Sequence, residues 1–437
     1  MNIRYSVAAF LCLVYPILSA QNRAPKLDNL KITFDANTRA VQVNYDVWDP
    51  EDEILEVNLQ VCGGIGLEPC ATPQTLEGDF GRVTRGKNKT IRWVFEKVPT
   101  QSDSLIISLL ADDKHPIDIQ ELVKQVDSVR LKQYLLQIYG LRNHESKKGN
   151  ERLLKVRQYL ESTFSAEGLP TVQVPFTFAE FKGSNIVTTL RGVSAPQKTL
   201  ILCAHYDAVP TSVGANANAS GVAGLLEAMH ILGQYRFRNS IVGLGTDLSY
   251  YEFRGSNEYV WHGGLKPYQK VLGAISLDAI GVYNDKPNTH PISAEIGKQI
   301  PEAYKDIAAD QFRANFVACI ANERSESLAQ IFLKSAATYS PNLRTVKMST
   351  PDYGESTFYL QDSDHITFWY RKDPALYITD GGMSRDSRNN SDKDTPERLN
   401  MDFMSKVVAT SMATLATLAD PCHCDVLEQK IALPNKH

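Results

Sequence analysis

The chain has 437 residues, 46 Lys and Arg against 50 Asp and Glu, and a formal net charge of −4 at pH 7. That length predicts two or three domains. The near-balance of charge excludes a basic nucleic-acid footprint and strong attraction to an anionic membrane surface.

Met1–Ala20 carries one early Arg, an apolar run from Val7 to Leu18 and the small pair Ser19-Ala20. This is the pattern of a secretory signal peptide, too short for a membrane span. Residues 1–20 are therefore expected to be removed, giving a secreted or periplasmic/extracellular protein. No other stretch is apolar enough to cross a bilayer, so no transmembrane segment is expected. Six cysteines follow the signal. Cys62 and Cys70 flank a Gly/Pro-rich loop that a disulfide would close. Cys203 sits in an apolar run and reads as a buried thiol. Cys422 and Cys424 lie one residue apart, which reads as a pinned tail or free thiols rather than a metal site.

Residues 21–113 read as an all-β accessory domain. Leu30–Phe34, Val41–Val47, Leu55–Val61, Thr90–Phe95 and Leu105–Leu110 alternate or run apolar between turns, the spacing of an immunoglobulin/fibronectin-III-like β-sandwich. The acidic residues Asp46, Asp49, Glu51, Asp52 and Glu53 read as a solvated turn, which is commoner than a calcium site. Asp112–Pro116 is the boundary, because a charged, Pro-terminated stretch gives way to helical periodicity over Ile117–Tyr139. A second helix is expected over Asn150–Phe164, then strands at Asn185–Leu190 and Leu200–Cys203. Residues 117–420 form the α/β domain, within which 284–348 is polar and Pro-bearing and reads as a lid or insertion. Leu399–Leu418 reads as an amphipathic helix, and 421–437 as a C-terminal tail. Asn88, Asn218 and Asn389 each head an N-x-Ser/Thr sequon.

Four ordered stretches carry the chemistry. The strand Leu200–Cys203 delivers His205 and Asp207 at its C-terminal end. Gly214–Gly221 (GANANASG) then opens the apolar helix Val222–Leu232. Gly255-Ser256 closes the next stretch, Ile275–Gly281 is a strand ending in Asp278, and Ser363–Phe368 holds His365 ahead of Asp373–Leu376. In this order they resemble the M28 family of zinc aminopeptidases over roughly residues 117–420. The resemblance implies an M28-type mixed β-sheet flanked by helices behind the β-sandwich.

It also implies roles, residue by residue. His205, Asp278 and His365 match metal ligands, and Asp207 matches the aspartate that orients the first imidazole. Three positions depart from the pattern. Ala217 stands where a bridging aspartate belongs. Ser249 takes the place of the general-base glutamate, and Tyr250 that of a ligand glutamate. Zinc hydrolysis needs about three protein ligands, an open coordination position and a carboxylate to take the water's proton. A methyl group, a hydroxyl and a phenol supply none of the missing acids. The expectation is a pseudopeptidase with a dismantled di-zinc site and no metal at full occupancy, whose cleft binds an unknown protein or peptide. The alternative is a divergent active zinc aminopeptidase drawing ligands from Asp247, Tyr250, Glu252 or Asp364. A further alternative is an envelope adhesion or assembly protein working through its β-sandwich.

Overall fold

Alternation shapes the N-terminal part. In Ala40–Trp48 the side chains of Val41, Val43, Tyr45 and Val47 are buried while their neighbours face outward, the period-two pattern of a half-buried strand. The computed structural model describes residues 22–35, 37–63, 70–94, 104–355 and 357–432. The proposed signal peptide and the last five residues of the chain lie outside these.

Two antiparallel sheets pack over one core. The first runs Lys26–Asp35, Ala40–Trp48, Gly86–Val94, Leu76–Gly78. The second runs Arg236–Phe237, Pro421–Ala432, Ser104–Pro116, Ile54–Gly63, Gly81–Thr84. Leu27, Val43 and Ile91 from the first meet Leu55, Leu59, Ile107 and Leu109 from the second. The last segment of the chain is thus a strand of this unit and not a tail. Residues 421–432 pair antiparallel with Ser104–Pro116, placing Leu427 opposite Leu109 and Ile431 opposite Leu105. Disulfides join Cys62 to Cys70 and Cys422 to Cys424, while Cys203 and Cys319 are buried thiols.

The expected single helix over 117–139 is two, Ile119–Val123 and Ser128–Ile138. Asp127 breaks it by accepting hydrogen bonds from the N–H groups of Val129 and Arg130, which starts a new helix. The eight-stranded mixed sheet follows. Its order is Arg344–Thr350, Phe316–Asn322, Ala375–Thr379, Lys270–Leu277, Ala195–His205, Asn239–Thr246, Phe181–Leu190, Thr171–Phe178. The central strands Ala195–His205, Asn239–Thr246, Lys270–Leu277 and Ala375–Thr379 are parallel to one another. Buried on both faces, they are apolar almost throughout. Lys147–Ala166, Gly221–Leu232, Glu326–Tyr339 and Met401–Ala419 cover one face. Arg254–Trp261, Pro301–Ala309 and His365–Tyr370 cover the other. Among the described residues, no helix is long and apolar enough to cross a membrane.

The segment 284–348 is not an inserted lid. Phe316–Asn322 is buried along its whole length and pairs with Ala375–Thr379, and Arg344–Thr350 adds the edge strand. Its apolar FVACIAN run is a sheet strand set inside a polar surround. Of the sequons, Asn88 is exposed whereas Asn218 and Asn389 are buried.

Candidate metal centre

The centre forms at the C-terminal ends of two adjacent parallel strands, where open α/β sheets place their ligands. Cys203 pairs with Ser276 in register, so His205 and Asp278 leave the sheet side by side. His205 Nε2 lies 3.4 Å from Asp278 Oδ2. On the far side of the ring, Nδ1 is 3.3 Å from Asp207 Oδ1 and 3.2 Å from the Asp207 carbonyl. The other Asp207 oxygen accepts the Ser249 N–H at 3.0 Å. Burial alone would pull the His205 imidazole down. The Asp278 and Asp207 carboxylates outweigh it and hold the ring well above its ordinary value.

The turn Gly214–Gly221 is bolted to the sheet. Asp394 accepts the N–H groups of Asn216 and Ala217 at 2.9 and 3.0 Å. The buried Arg142 guanidinium donates to the carbonyls of Tyr206, Val213 and Gly214. Asn218 donates to the Leu277 carbonyl at 2.8 Å and accepts from the Ala279 N–H at 3.1 Å, which docks the turn beside Asp278. Only glycine fits at 221, because a Cβ there would stand 2.3 Å from the Leu277 carbonyl oxygen. Ala217 therefore arrives in the cleft with a methyl group where the resemblance implies a bridging carboxylate.

Ser249 and Tyr250 also line the cleft. The Tyr250 ring stands edge-on to His205 with centroids 5.3 Å apart, and its hydroxyl donates to Asn390 Oδ1 at 2.9 Å. Asp247 does not reach into the cleft. It is buried and bonded to His144 Nε2 at 2.9 Å, an Arg157 guanidinium N–H at 2.8 Å and the Tyr206 hydroxyl at 3.0 Å. Asp364 is likewise buried, accepting from Thr246 Oγ1 at 2.7 Å. Glu252 lies at the rim, mostly exposed and paired with Arg254.

His365 is not brought into the cleft. Its Nε2 bonds the Leu360 carbonyl at 2.9 Å, and its ring stacks on Tyr377 with centroids 5.1 Å apart. Tyr377 forms the cleft wall, with His365 packed fully buried behind it. The residue of this segment that lines the cleft is Asp362, three residues earlier. Burial, reinforced by the nearby Asp278 charge, pushes its carboxyl up to about 6. The signal in sequence was the acid-rich Asp362-Ser363-Asp364, in which Asp364 drew the attention. Among the described residues, no three His, Cys, Asp or Glu donors in this cleft lie within 4.8 Å of one another. An apolar pocket lined by Ile292, Ile296, Ile300, Ile320 and Met348 adjoins it, sharing Asp362, Tyr377 and Met383 with the polar cleft.

Known proteins resemble this chain over the same region. An Escherichia coli protein, the uncharacterized YfbL, is 28% identical over 274 residues, covering 59% of this chain and 78% of that one. A probable zinc metalloprotease of Leptosphaeria maculans is 24% identical over 255 residues, 54% of this chain and 57% of that one. Among solved structures, the Legionella pneumophila LapA aminopeptidase superposes with a TM-score of 0.53 at 15% identity, covering 75% of this chain and 76% of that one. An aminopeptidase from Aneurinibacillus sp. strain AM-1 gives 0.52 at 11% identity, covering 70% and 97%. These superpositions speak for the fold. The model of peptidase family M28 matches residues 185–415, more than half of the 437, and this chain belongs to that family.

Proposed function

We propose that this M28 chain is a pseudopeptidase, an exported protein whose cleft binds a protein or peptide ligand without hydrolysing it. The observation that carries this reading is the content of the three acid positions: a methyl at Ala217, a hydroxyl at Ser249 and, at Tyr250, a phenol already committed to Asn390. A tightly held catalytic zinc takes about three protein ligands. His205 and Asp278 supply two, and the third is missing where a bridging carboxylate would stand. His365 is bonded to a backbone carbonyl and Asp247 to an arginine and a histidine, so neither completes the set. The residues present do not fit a two-zinc centre. Binding remains chemically sensible: Asp278 and Asp362 present acids to a cationic or hydrogen-bond-donating group, and the adjoining apolar pocket accepts a hydrophobic side chain.

The test is metal content and hydrolysis together, on mature protein from zinc-supplemented medium. The expected result is essentially no zinc by elemental mass spectrometry and no chelator-sensitive cleavage of aminoacyl p-nitroanilides. About two zinc ions per chain with activity lost in His205→Ala would overturn the proposal. A second reading, a divergent active aminopeptidase, is favoured by one feature. Asp362 is a carboxyl lining the cleft together with His205 and Asp278, a group able to take a proton from a bound water. On that reading zinc binds, and Asp362→Asn abolishes cleavage while leaving the zinc content unchanged.

A further inference from the structure

Far from the cleft, three carboxylates converge where the N-terminal sheets meet. Asp49 and Asp52 lie on the turn that carries the chain from the first sheet, after Trp48, to the second, at Ile54. Asp113 projects from the strand Ser104–Pro116 of the second sheet. Each offers one oxygen, and these oxygens all lie within 4.8 Å of one another. Ligands on opposite sides of a calcium ion, each about 2.4 Å away, are about 4.8 Å apart.

Asp49 is the decisive residue because it is completely buried. Its Oδ1 accepts the N–H groups of Glu51 and Asp52 at 2.8 and 2.7 Å. Its Oδ2 is buried and has no hydrogen-bond partner among the described residues. A buried, unpartnered carboxylate oxygen is costly unless something supplies positive charge. Among the described residues, no lysine or arginine forms an ion pair with Asp49, Asp52 or Asp113. Asp52 Oδ2 has no well-formed hydrogen bond among the described residues, and the exposed His115 ring brings its Nε2 to 3.1 Å. Among the described residues, Asp113 accepts from Asn22 Nδ2 and the His115 N–H. The adjacent Asp112 shows the contrast. It faces the other way and is neutralised by Arg238 and Lys114.

We propose that Asp49, Asp52 and Asp113 form a calcium site that clamps the crossover between the two sheets to the strand leading into the α/β domain. Hard oxygen donors without thiols select calcium over zinc. The solvated-turn reading holds for the exposed Glu51 and Glu53 but not for Asp49, whose carboxylate is buried. The site is independent of the cleft and of whether the cleft hydrolyses anything.

Calorimetric titration of CaCl2 into the chelator-stripped full-length mature chain, at constant ionic strength, tests it. One calcium per chain is expected, with a dissociation constant of order 10⁻⁴–10⁻³ M, together with a calcium-dependent rise in melting temperature. Asp49→Asn keeps the side chain's shape and its acceptor for the turn, and should weaken binding at least about ten-fold. Asp52→Asn, on the more accessible residue, should do the same in a chain that folds. Asp278→Asn, in the distant cleft, should leave the calcium affinity unaltered. Absence of binding heat and of any melting shift at 10-fold above that range would overturn the site. So would calcium binding that survives both turn variants, or that disappears with Asp278→Asn.

Discussion

A neutral imidazole sealed in a core leaves a pH signature. Burial holds His365 down to about 3, and burial with the Arg385 charge does the same to His290. In the unfolded chain both titrate near 6.5. Between about pH 6.5 and 3 the unfolded state therefore binds protons that the folded state refuses. Stability from these two groups is fully present above pH 6.5 and is lost as pH falls toward 3. Each contributes a slope of about 1.4 kcal/mol per pH unit inside that window. Chemical denaturation of the parent and of His365→Phe between pH 7 and 4 should give a shallower slope in the variant. Equal slopes would mean that His365 is protonated in the folded protein and not sealed. The variant should also lose stability at pH 7, because the Leu360 carbonyl then lacks its donor.

The turn Gly214–Gly221 is held in shape by a residue far along the chain. Asp394 holds two of its N–H groups, and the aspartate is itself fully buried. Asp394→Ala leaves two buried donors unpaired, each costing about 1–3 kcal/mol. The expected loss is about 3 kcal/mol in urea unfolding, and a loss below about 1 kcal/mol would mean that water or backbone movement satisfies the turn. This turn was legible in the sequence because Gly, Asn and Ser at fixed spacing demand particular backbone geometry. The strands delivering His205 and Asp278 were legible for a related reason: central parallel strands are continuous apolar runs. Other features were not. Phe316–Asn322 is such a run too, but short apolar runs are ambiguous, and its polar, Pro-bearing surroundings suggested an insertion. Nothing local distinguishes Asp362 from Asp364, since the loop path decides which acid meets the cleft. Motif position placed His365 with the metal ligands, whereas the helix His365–Tyr370 turns its ring onto Tyr377 and Trp369.

At the scale of the whole molecule, the β-sandwich draws one of its strands from residues 421–432. Its strand Ser104–Pro116 lies between Ile54–Gly63 and Pro421–Ala432, so one neighbour comes from more than 300 residues later in the chain. No local pattern announces such a pairing, which is why residues 421–437 read as a tail. The strand does more than cover an edge. Ile431 enters the sandwich core, and Asp425 accepts the Leu27 N–H at 2.8 Å, linking the last strand to the first. Arg238 pairs with Asp112 of Ser104–Pro116 and with Asp420 at the end of the helix Met401–Ala419, tying the sandwich to the α/β domain. A fragment of residues 22–116 would present Ser104–Pro116 as a long unpaired edge flanked by apolar side chains, a template for aggregation. We expect that fragment to be insoluble or to lack a cooperative unfolding transition. Fusing residues 421–432 to it through a flexible linker should restore a monomer with a cooperative melt. If the fragment alone is monomeric and melts cooperatively, the sandwich folds independently. Any binding activity could then be assigned to it in isolation. If it needs the C-terminal strand, neither unit is complete without the other, and partner searches have to use the whole chain.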